Sequence, residues 1–408
     1  MAEPDPDRRA RFGDRHALPA HARYDGWASL LAEPRLADAL VLATPDALHL
    51  EPAQQALARG YHLLLEKPIA PTLDEVNQLA QAAQDASTTI TVAHVLRYAP
   101  FFARVAALLR EGRIGDLVTV QHTENIGHWH FAHSYVRGNW RREADASPML
   151  LAKACHDLDL LRWLVGRTCT RVASYGGLRH FRADQAPEGS TERCSDGCAV
   201  ERACPYSALR IYLERFGGTD GWPASVVTPD PTPERLRSAL ETGPYGRCVY
   251  RCDNDVADHQ VVALDFAGIA ATLTVSAFTE RNTRTTHLMG THGELHGHME
   301  TGEIVIEDFT RGTREVEIVS GGPQGGADGG ADGGAQLGAQ DGAHGGGDVG
   351  LVLDFVARLR GERTGPAASD LATSLESHRI AFAAERSRHE ARMVSLDEGP
   401  FAARPAGG

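Results

Sequence analysis

The residues best suited to chemistry stand at two places in this chain of 408 residues. At the first, the apolar run Tyr61 to Leu65 leads straight into Glu66-Lys67-Pro68, and this predicts a short buried strand that carries a lysine amine at its end. Pro68 cannot donate a hydrogen bond to a neighbouring strand, and it restricts the conformation of Lys67 before it. Taken alone, the tripeptide is also typical of a strand end with an exposed ion pair.

The second place is a segment of helical periodicity, Met149 to Val165, whose apolar residues form one stripe. Lys153, His156 and Asp159 follow at intervals of three, so we expect them on one face, opposite the core stripe. A lysine and a histidine on one face can hold substrate oxygens and exchange a proton. The alternative is that these side chains are merely solvated or packed.

The stretch Gly127 to Trp140 reads as a loop dense in aromatic and polar side chains. Its histidines, His128, His130 and His133, could suggest a metal, but no carboxylate is spaced with them. We therefore expect a structural or substrate-lining role for them. Aromatic faces beside polar donors suit a sugar-sized ligand, which is itself amphipathic.

Five of the seven cysteines are close in sequence: Cys194, Cys198, Cys204, Cys248 and Cys252. Thiolates at short spacings in a reducing compartment suit structural zinc or an iron–sulfur cluster. The two-residue spacing of zinc knuckles is absent, and the sequence does not single out four ligands. Free buried thiols are the alternative.

Composition excludes several classes of protein. A net charge of -13 without a basic stripe argues against a nucleic-acid partner. No run of 18 apolar residues occurs and the N-terminus is polar, so we expect neither a membrane span nor a signal peptide. An odd number of cysteines over a long chain is not typical of a secreted disulfide framework. Together these features predict a cytoplasmic protein.

The elements that must position Lys67 alternate between strands and helices. Leu40 to Thr44 predicts a buried strand and His49 to Arg59 a helix, which Gly60 can end. Thr72 with Glu75 three residues later predicts a capping box at the next helix. This alternation is typical of a parallel α/β sheet.

The later strands have the alternation of an antiparallel sheet. They are predicted at Val118 to Asn125, Asp253 to Ala277, Thr285 to Glu294 and Glu303 to Glu307. Helices would cover one face of this sheet, and the other face would be free for a subunit contact.

Several motifs together resemble the Gfo/Idh/MocA family, the glucose-fructose oxidoreductase and inositol dehydrogenase group. They occur in the family's order: Ala43-Thr44-Pro45 with His49, Glu66-Lys67-Pro68, Arg97-Tyr98 before Pro100, and Lys153 to Leu161 with His156 and Asp159. The resemblance covers roughly residues 1–320 and the C-terminal helix. One departure is Ala152, which stands where many members carry a carboxylate four residues before the histidine.

The resemblance implies an α/β fold: an N-terminally truncated Rossmann domain followed by an α+β domain with a large, mostly antiparallel open sheet. Glu3 falls where the family has the carboxylate that binds the adenosine ribose of NAD. The Gly-rich turn would lie about 20 residues earlier. We therefore expect the numbered chain to lack the first strand, glycine turn and helix of the domain.

It also implies an NAD(P)-dependent dehydrogenase or reductase that acts on a secondary alcohol of a sugar, cyclitol or related polyol. Lys67 would be the general acid/base, with His156 and Lys153 as the other catalytic residues. Expected cofactor contacts are Glu3, Ala43, Thr44, Pro45, His49, Glu66, Lys67 and Arg97. Expected substrate contacts are Lys67, Tyr98, Trp140, Lys153, His156 and Asp159.

NAD and NADP both stay open, because Arg8 and Arg9 stand close to Glu3. The resemblance also implies a homodimer or homotetramer. The alternative function is a non-catalytic family member that binds a sugar-like ligand or a partner without turnover.

The predicted domain organisation has five parts. They are a Rossmann-like domain at 1–98, a substrate and oligomerisation domain at 99–320 with a cysteine-containing insertion at about 183–252, a Gly-rich flexible linker at 321–348, C-terminal helices at 349–395 and a disordered tail at 396–408.

Overall fold

The computed structural model describes residues 1–217, 219, 221–319, 344–364, 368–397 and 399–401. The chain forms two compact units: Met1–Ala93 with Leu353–Leu375, and His94–Val352 with Glu376–Gly408. Most of the predicted linker, 321–343, lies outside the described residues. No helix in the described ranges has both the length and the apolar character needed to cross a membrane.

The first unit contains a sheet of three parallel strands in the order β1-β2-β3. Their bounds are Ala39–Leu42 for β1, His62–Leu65 for β2 and Ile90–Val92 for β3. Leu42 is in register with Leu65, and Leu65 with Val92, so the carboxyl ends of the three strands are aligned at one edge. The predicted parallel sheet is confirmed, but β1 is less buried than expected because Val41 is 64% exposed.

Four α-helices belong wholly to the first unit: α1 Pro6–Arg15, α2 Trp27–Ala32, α3 Leu50–Ala58 and α4 Leu73–Gln84. The predicted start of α4 is confirmed, since the Thr72 hydroxyl accepts the Glu75 N–H at 3.2 Å and donates to the Glu75 carboxylate at 2.7 Å. Gly60 follows the end of α3 with φ +76°, a conformation that favours glycine. Capping therefore sets both helix boundaries next to β2.

The second unit is built on a nine-stranded sheet in the order β11-β10-β9-β8-β4-β7-β6-β5-β12. Neighbours are antiparallel except β4 and β7, which confirms the large, mostly antiparallel sheet. The bounds are β4 Leu117–Gly127, β5 Arg171–Gly177, β6 His259–Phe266, β7 Ile269–Thr279, β8 Thr283–Gly290, β9 Gly293–His298, β10 Glu303–Asp308, β11 Thr313–Ile318 and β12 Val394–Ser395.

The remaining α-helices are α5 Pro100–Arg110, α6 His128–Phe131, α7 Met149–Ala152, α8 Cys155–Val165, α9 Ala224–Val227, α10 Pro233–Thr242, α11 Gly347–Leu359 and α12 Leu371–Glu390. The last two helices each contain residues of both units. Because α11 begins at Gly347, the end of the predicted linker is helical.

Two predicted elements in the second unit are wrong. The stretch from 127 to 140 is not a loop, because α6 runs into a π-helical turn, Ala132–Arg137. Phe131 and Tyr135, four residues apart, stack at 5.1 Å between ring centroids, as helical spacing allows. The predicted single helix from Met149 to Val165 is also interrupted, since α7 ends at Ala152 and α8 begins at Cys155.

The two faces of the large sheet differ in burial, because side chains alternate along each strand. One row across neighbouring strands is buried: Val262, Leu273, His122 and Thr286. On the opposite face, Tyr175 pairs with Val261, and they are 71% and 42% exposed. The sheet therefore has one covered face and one open face within a single chain.

The prediction of a disordered tail at 396–408 is wrong for the part that the structure describes, 396–397 and 399–401. Leu396 and Phe401 are buried, and the guanidinium of Arg386 lies 5.9 Å from the Phe401 ring centroid. These apolar side chains return to the second unit. The rest of the tail, 398 and 402–408, lies outside the described residues.

Candidate functional site

Lys67 lies at the carboxyl edge of the parallel sheet, two residues after β2. The Glu66 N–H donates to the Leu42 carbonyl of β1 at 2.9 Å, which continues the strand pairing one residue beyond β2. Glu66 is exposed, Lys67 is half-buried and Pro68 is buried. The lysine side chain is therefore supplied by a turn whose backbone is fixed on both sides.

His49 joins the turns that follow β1 and β2. Its ring is 1% exposed; Nδ1 lies 2.7 Å from the Pro68 carbonyl oxygen and Nε2 lies 2.8 Å from that of Thr44. A neutral imidazole has one N–H, so it donates to one of these acceptors at a time, and only the imidazolium donates to both. Sequence predicts His49 as a cofactor contact; its ring nitrogens instead face the backbone, which suits a positioning role.

The surface beside Lys67 is open and lined by small side chains. Ala43 and Pro45 are exposed and Thr44 is half-buried, with its hydroxyl donating to the Leu48 carbonyl at 2.9 Å. In open α/β sheets, nucleotides bind in the crevice outside the carboxyl ends of the strands. Short side chains at this edge leave room for a flat ring, so these residues fit a dinucleotide.

Glu3 occupies a third position in the same unit, before α1. Its N–H donates to the Tyr24 carbonyl at 3.1 Å, and its carboxylate accepts the Asp5 N–H at 2.9 Å. The Arg9 guanidinium donates to the Glu3 and Pro4 carbonyl oxygens. Arg9 is thus engaged by the backbone, and the Glu3 carboxylate has an acceptor oxygen for a further donor.

In the second unit, α8 carries two of the predicted residues, but not on a solvated face. His156 and Asp159 are 3% and 1% exposed, so the expectation that they lie opposite the core is wrong. The turn Val95–Tyr98 packs against α8 and covers that side. Lys153 stands at the interruption between α7 and α8, where its Nζ lies 3.2 Å from Glu124 Oε1.

Arg97 and Asp159 bind each other. The guanidinium Nε and Nη2 atoms donate to the two carboxylate oxygens at 2.6 and 2.7 Å, and both side chains are buried. His94 Nε2 lies 3.8 Å from the same carboxylate. Sequence predicts Arg97 at the cofactor and Asp159 at the substrate; in the structure this bidentate pair anchors α8 to the preceding turn.

A buried charge cluster, which sequence reasoning missed, connects α8 to the sheet; it comprises His122, Glu124, Lys153, Asp157 and Arg284. Asp157 Oδ1 lies 2.9 Å from His122 Nε2 and 2.8 Å from Arg284 Nε. Arg284 Nε is also 2.7 Å from Glu124 Oε2. Burial alone would raise the pKa of Asp157, but Arg284 and His122 outweigh it and hold that pKa well below its usual range.

The sequence of β4 contains a signal for this cluster. His122 and Glu124 are two residues apart on β4, so their side chains share a face, and that face is the buried one. Polar residues alternating on a buried strand face need partners. Their partners come from β8 and α8, which lie far away in the sequence.

His156 belongs to a group of imidazoles that the sequence did not suggest. Its ring centroid lies 5.9 Å from that of His94 and 5.2 Å from that of His344. His94 in turn lies 5.6 Å from His378. The predicted catalytic histidine therefore lies beside two further imidazoles.

The other predicted substrate contacts are only partly exposed. Tyr98 is half-buried beside Gly350, where a Cβ would lie 3.0 Å from the tyrosine Cβ. Trp140 is half-buried, with its ring 6.2 Å from Tyr135.

The histidines of the 127–140 segment face separate partners. His128 Nδ1 lies 3.3 Å from the Thr279 carbonyl, and His130 Nδ1 lies 3.0 Å from Asn282. His133 Nδ1 lies 2.8 Å from the Tyr212 hydroxyl, and burial lowers its pKa to about 3. The structural or substrate-lining role expected for these histidines stays a prediction.

Four of the five clustered cysteines line one small cavity: Cys194, Cys198, Cys204 and Cys248. Cys252 is half-buried, and its Sγ lies 3.3 Å from the Cys248 carbonyl oxygen. All seven cysteines are free thiols. The structure thus separates Cys252 from the four cysteines that line the cavity.

Two family descriptions match most of the chain. The oxidoreductase family with an NAD-binding Rossmann fold, GFO_IDH_MocA, matches residues 2–94. The C-terminal α/β domain of the same oxidoreductase family matches residues 106–396.

Two individual proteins are similar to part of the chain. The 2,7-anhydro-N-acetylneuraminate hydratase of Escherichia coli is 29% identical over 147 residues, 36% of this chain and 38% of that protein. The 1,5-anhydro-D-fructose reductase of Ensifer adhaerens is 30% identical over 138 residues, 33% of this chain and 40% of that protein. The matched part spans about two fifths of these curated relatives.

A solved structure supports the fold over nearly the whole chain. Levoglucosan dehydrogenase, in complex with NADH and levoglucosan, superposes with a TM-score of 0.64 at 20% identity. The match covers 97% of this chain and 88% of that one.

Proposed function

Because the chain belongs to the Gfo/Idh/MocA oxidoreductase family, we propose that it transfers a hydride between a nicotinamide cofactor and a secondary alcohol of a sugar, cyclitol or related polyol. The observation that carries this proposal is the position of Lys67, two residues after β2 at the carboxyl edge of a parallel sheet. That edge is where open α/β sheets bind their ligands. The matches to the two domains of the family confirm the resemblance inferred from the motifs.

The cofactor would lie along the surface formed by Ala43, Thr44, Pro45 and Glu66, with Glu3 at its ribose. When bound, it supplies the hydride acceptor, and the protein supplies orientation and a route for the proton. We infer a preference for NAD over NADP, because the Glu3 carboxylate would repel a ribose phosphate. Arg9 is already engaged by the Glu3 and Pro4 carbonyl oxygens.

Lys67 would take the proton of the reacting hydroxyl as the hydride leaves the carbinol carbon, and return it in the reverse direction. His156 would hydrogen-bond the reacting or the adjacent hydroxyl. Lys153, which Glu124 holds at 3.2 Å, would bind a further substrate oxygen. Ala152 replaces the carboxylate found in many members, so the contact from Lys153 would partly substitute for it.

An anhydro sugar is the first substrate class to test. Two of the similar proteins are named for such compounds, 2,7-anhydro-N-acetylneuraminate and 1,5-anhydro-D-fructose. One of them is named a hydratase and the other a reductase. The screen should therefore measure product formation as well as the redox state of the cofactor.

We also propose that the open face of the large sheet pairs with a second copy of the chain. Tyr175 and Val261 lie side by side on this face and are exposed. A sheet with one face buried within its own chain can bury the exposed face against a second copy. Light scattering would show a dimer or tetramer, and a Tyr175→Glu variant would shift it towards a smaller species. A monomer at micromolar concentration would contradict the pairing.

The test of the proposed function is a screen of the purified chain with NAD and NADP against polyols, sugars and anhydro sugars in both directions. We expect turnover with a member of one class, faster with NAD, and transfer of deuterium from the carbinol carbon to the nicotinamide. Calorimetry would measure cofactor binding independently. Cofactor or sugar binding without any turnover would contradict the proposal and support the non-catalytic alternative.

A further inference from the structure

We propose that Cys194, Cys198, Cys204 and Cys248 bind one structural zinc ion, and that Cys252 is not a ligand. The four side chains line a single cavity of about 10 Å³, together with residues of the surrounding loop. Four thiolates around a tetrahedral ion are a common structural zinc site. This site is independent of the proposed hydride transfer.

The backbone brings two of the ligand segments side by side. Arg193 and Arg247 form an isolated antiparallel bridge. The Cys194 N–H donates to the Gly246 carbonyl at 3.1 Å, and the Cys248 N–H donates to that of Glu192 at 2.9 Å. Cys194 and Cys248 are therefore held close together although 53 residues separate them in the sequence.

The third segment is tied to the same place. The Ala208 N–H lies 3.3 Å from Cys194 Sγ, so the turn after Cys204 faces the sulfur of Cys194. Hydrogen bonds from N–H groups to sulfur stabilise thiolates, which are the form that binds metal.

A buried arginine gives an independent reason to expect negative charge here. Arg137 is 1% exposed; its Nε donates to the Arg247 carbonyl and its Nη2 to the Tyr206 carbonyl, both at 2.7 Å, while Nη2 lies 3.9 Å from Cys194 Sγ. Its Nη1 is buried without a hydrogen-bond partner. Among the described residues, no carboxylate forms an ion pair with this guanidinium.

A buried cation without a counter-ion is strongly unfavourable. Four thiolates outweigh the charge of one Zn²⁺, so the loaded site would be a net anion beside Arg137. The zinc site thus explains both the convergence of the cysteines and the burial of an arginine among neutral carbonyl groups.

The small size of the cavity favours a single ion over an iron–sulfur cluster. About 10 Å³ is close to the space that one water molecule requires, roughly 10–15 Å³ by the same kind of measure. A cluster of several iron and sulfide atoms needs more room than this. Cys252 is left out of the ligand set because its sulfur contacts the Cys248 carbonyl and does not line the cavity.

The experiment is elemental analysis of the full chain, purified under reducing conditions without chelator. We expect about one equivalent of zinc per chain, and tetrahedral thiolate–cobalt absorption bands after exchange with Co²⁺. Single Cys194→Ser, Cys198→Ser, Cys204→Ser and Cys248→Ser variants should lose the metal. The matched control, Cys252→Ser, should retain it.

Because a ligand variant can fail to fold, the wild-type protein supplies a second readout. Zinc removal by a chelator should lower the melting temperature by several degrees, and added zinc should restore it. Less than about a tenth of an equivalent of zinc after reconstitution, or bound iron with sulfide, would overturn the proposal. Equal metal loss in Cys252→Ser would overturn the assignment of the four ligands.

Discussion

His49 Nδ1 lies 2.7 Å from the carbonyl oxygen of Pro68, and this contact fixes the turn that carries Lys67. The second ring nitrogen reaches the turn after the neighbouring strand, at Thr44. One buried imidazole therefore sets the distance between two turns at the carboxyl edge of the sheet. If Lys67 transfers a proton, the precision of its position depends on His49.

His49→Ala should lower kcat with little change in cofactor affinity, because the variant removes a positioning contact rather than a binding contact. A loss of about 10-fold or more is expected from misplacement of the reacting groups. His49→Gln, whose amide can donate to one carbonyl, should recover part of the loss. The control is His62→Ala, on β2 in the same unit, where the ring instead lies 3.0 Å from the Thr89 hydroxyl. Equal losses in both alanine variants would contradict the positioning role.

Arg284→Met should destabilise the protein by about 3–5 kcal/mol, because it leaves the Glu124 and Asp157 carboxylates buried without their guanidinium. Both carboxylates lie within 2.8 Å of Arg284 Nε. Denaturant unfolding measures the change. Arg281→Met, at an exposed neighbouring position, should change stability by no more than about 0.5 kcal/mol. Similar effects of the two substitutions would show that the charge cluster is not stabilised by Arg284.

Glu300→Gln should remove part of the pH dependence of stability. Burial raises the pKa of Glu300 to about 7, although its carboxylate accepts the Arg284 N–H and lies near the Arg284 charge. His298 Nδ1 lies 3.6 Å from the same carboxylate, and Glu124 also acts on it. A raised carboxyl pKa gives stability that is complete below the ordinary pKa and is lost as pH rises through about 7.

The measurement is the difference in unfolding free energy between the wild-type protein and Glu300→Gln at several pH values. Between about pH 5 and pH 8, the wild type should lose on the order of 2 kcal/mol relative to the variant. Parallel curves would contradict the raised pKa of Glu300.

The parts that the sequence predicted well are those that local chemistry determines. Apolar runs gave β1 and β2, Thr72 and Glu75 gave the start of α4, and the Glu66-Lys67-Pro68 motif placed the lysine at a strand end. Each of these depends on residues that are adjacent or one helical turn apart. Alternation along β6 and β7 likewise indicated the antiparallel sheet.

The parts that the sequence could not predict depend on pairing between distant segments. Glu124 meets Arg284 because β4 and β8 pair in one particular register, and Arg97 meets Asp159 across 62 positions. The aromatic density of the 127–140 segment predicts a loop, whereas in the structure Phe131 and Tyr135 stack across one helical turn. Cys252 could be separated from the other cysteines only by the direction of its side chain.

The most direct test of the central claim is single-turnover hydride transfer by Lys67→Met, with the cofactor and a substrate identified in the screen. The variant should bind the cofactor and unfold like the wild type, while the transfer step slows by a factor of about 10² or more, as expected for removal of a general acid/base. Lys67→Arg, which keeps the charge, should be similarly slow. Transfer by Lys67→Met at the wild-type rate would contradict the assignment of Lys67 as the group that moves the proton.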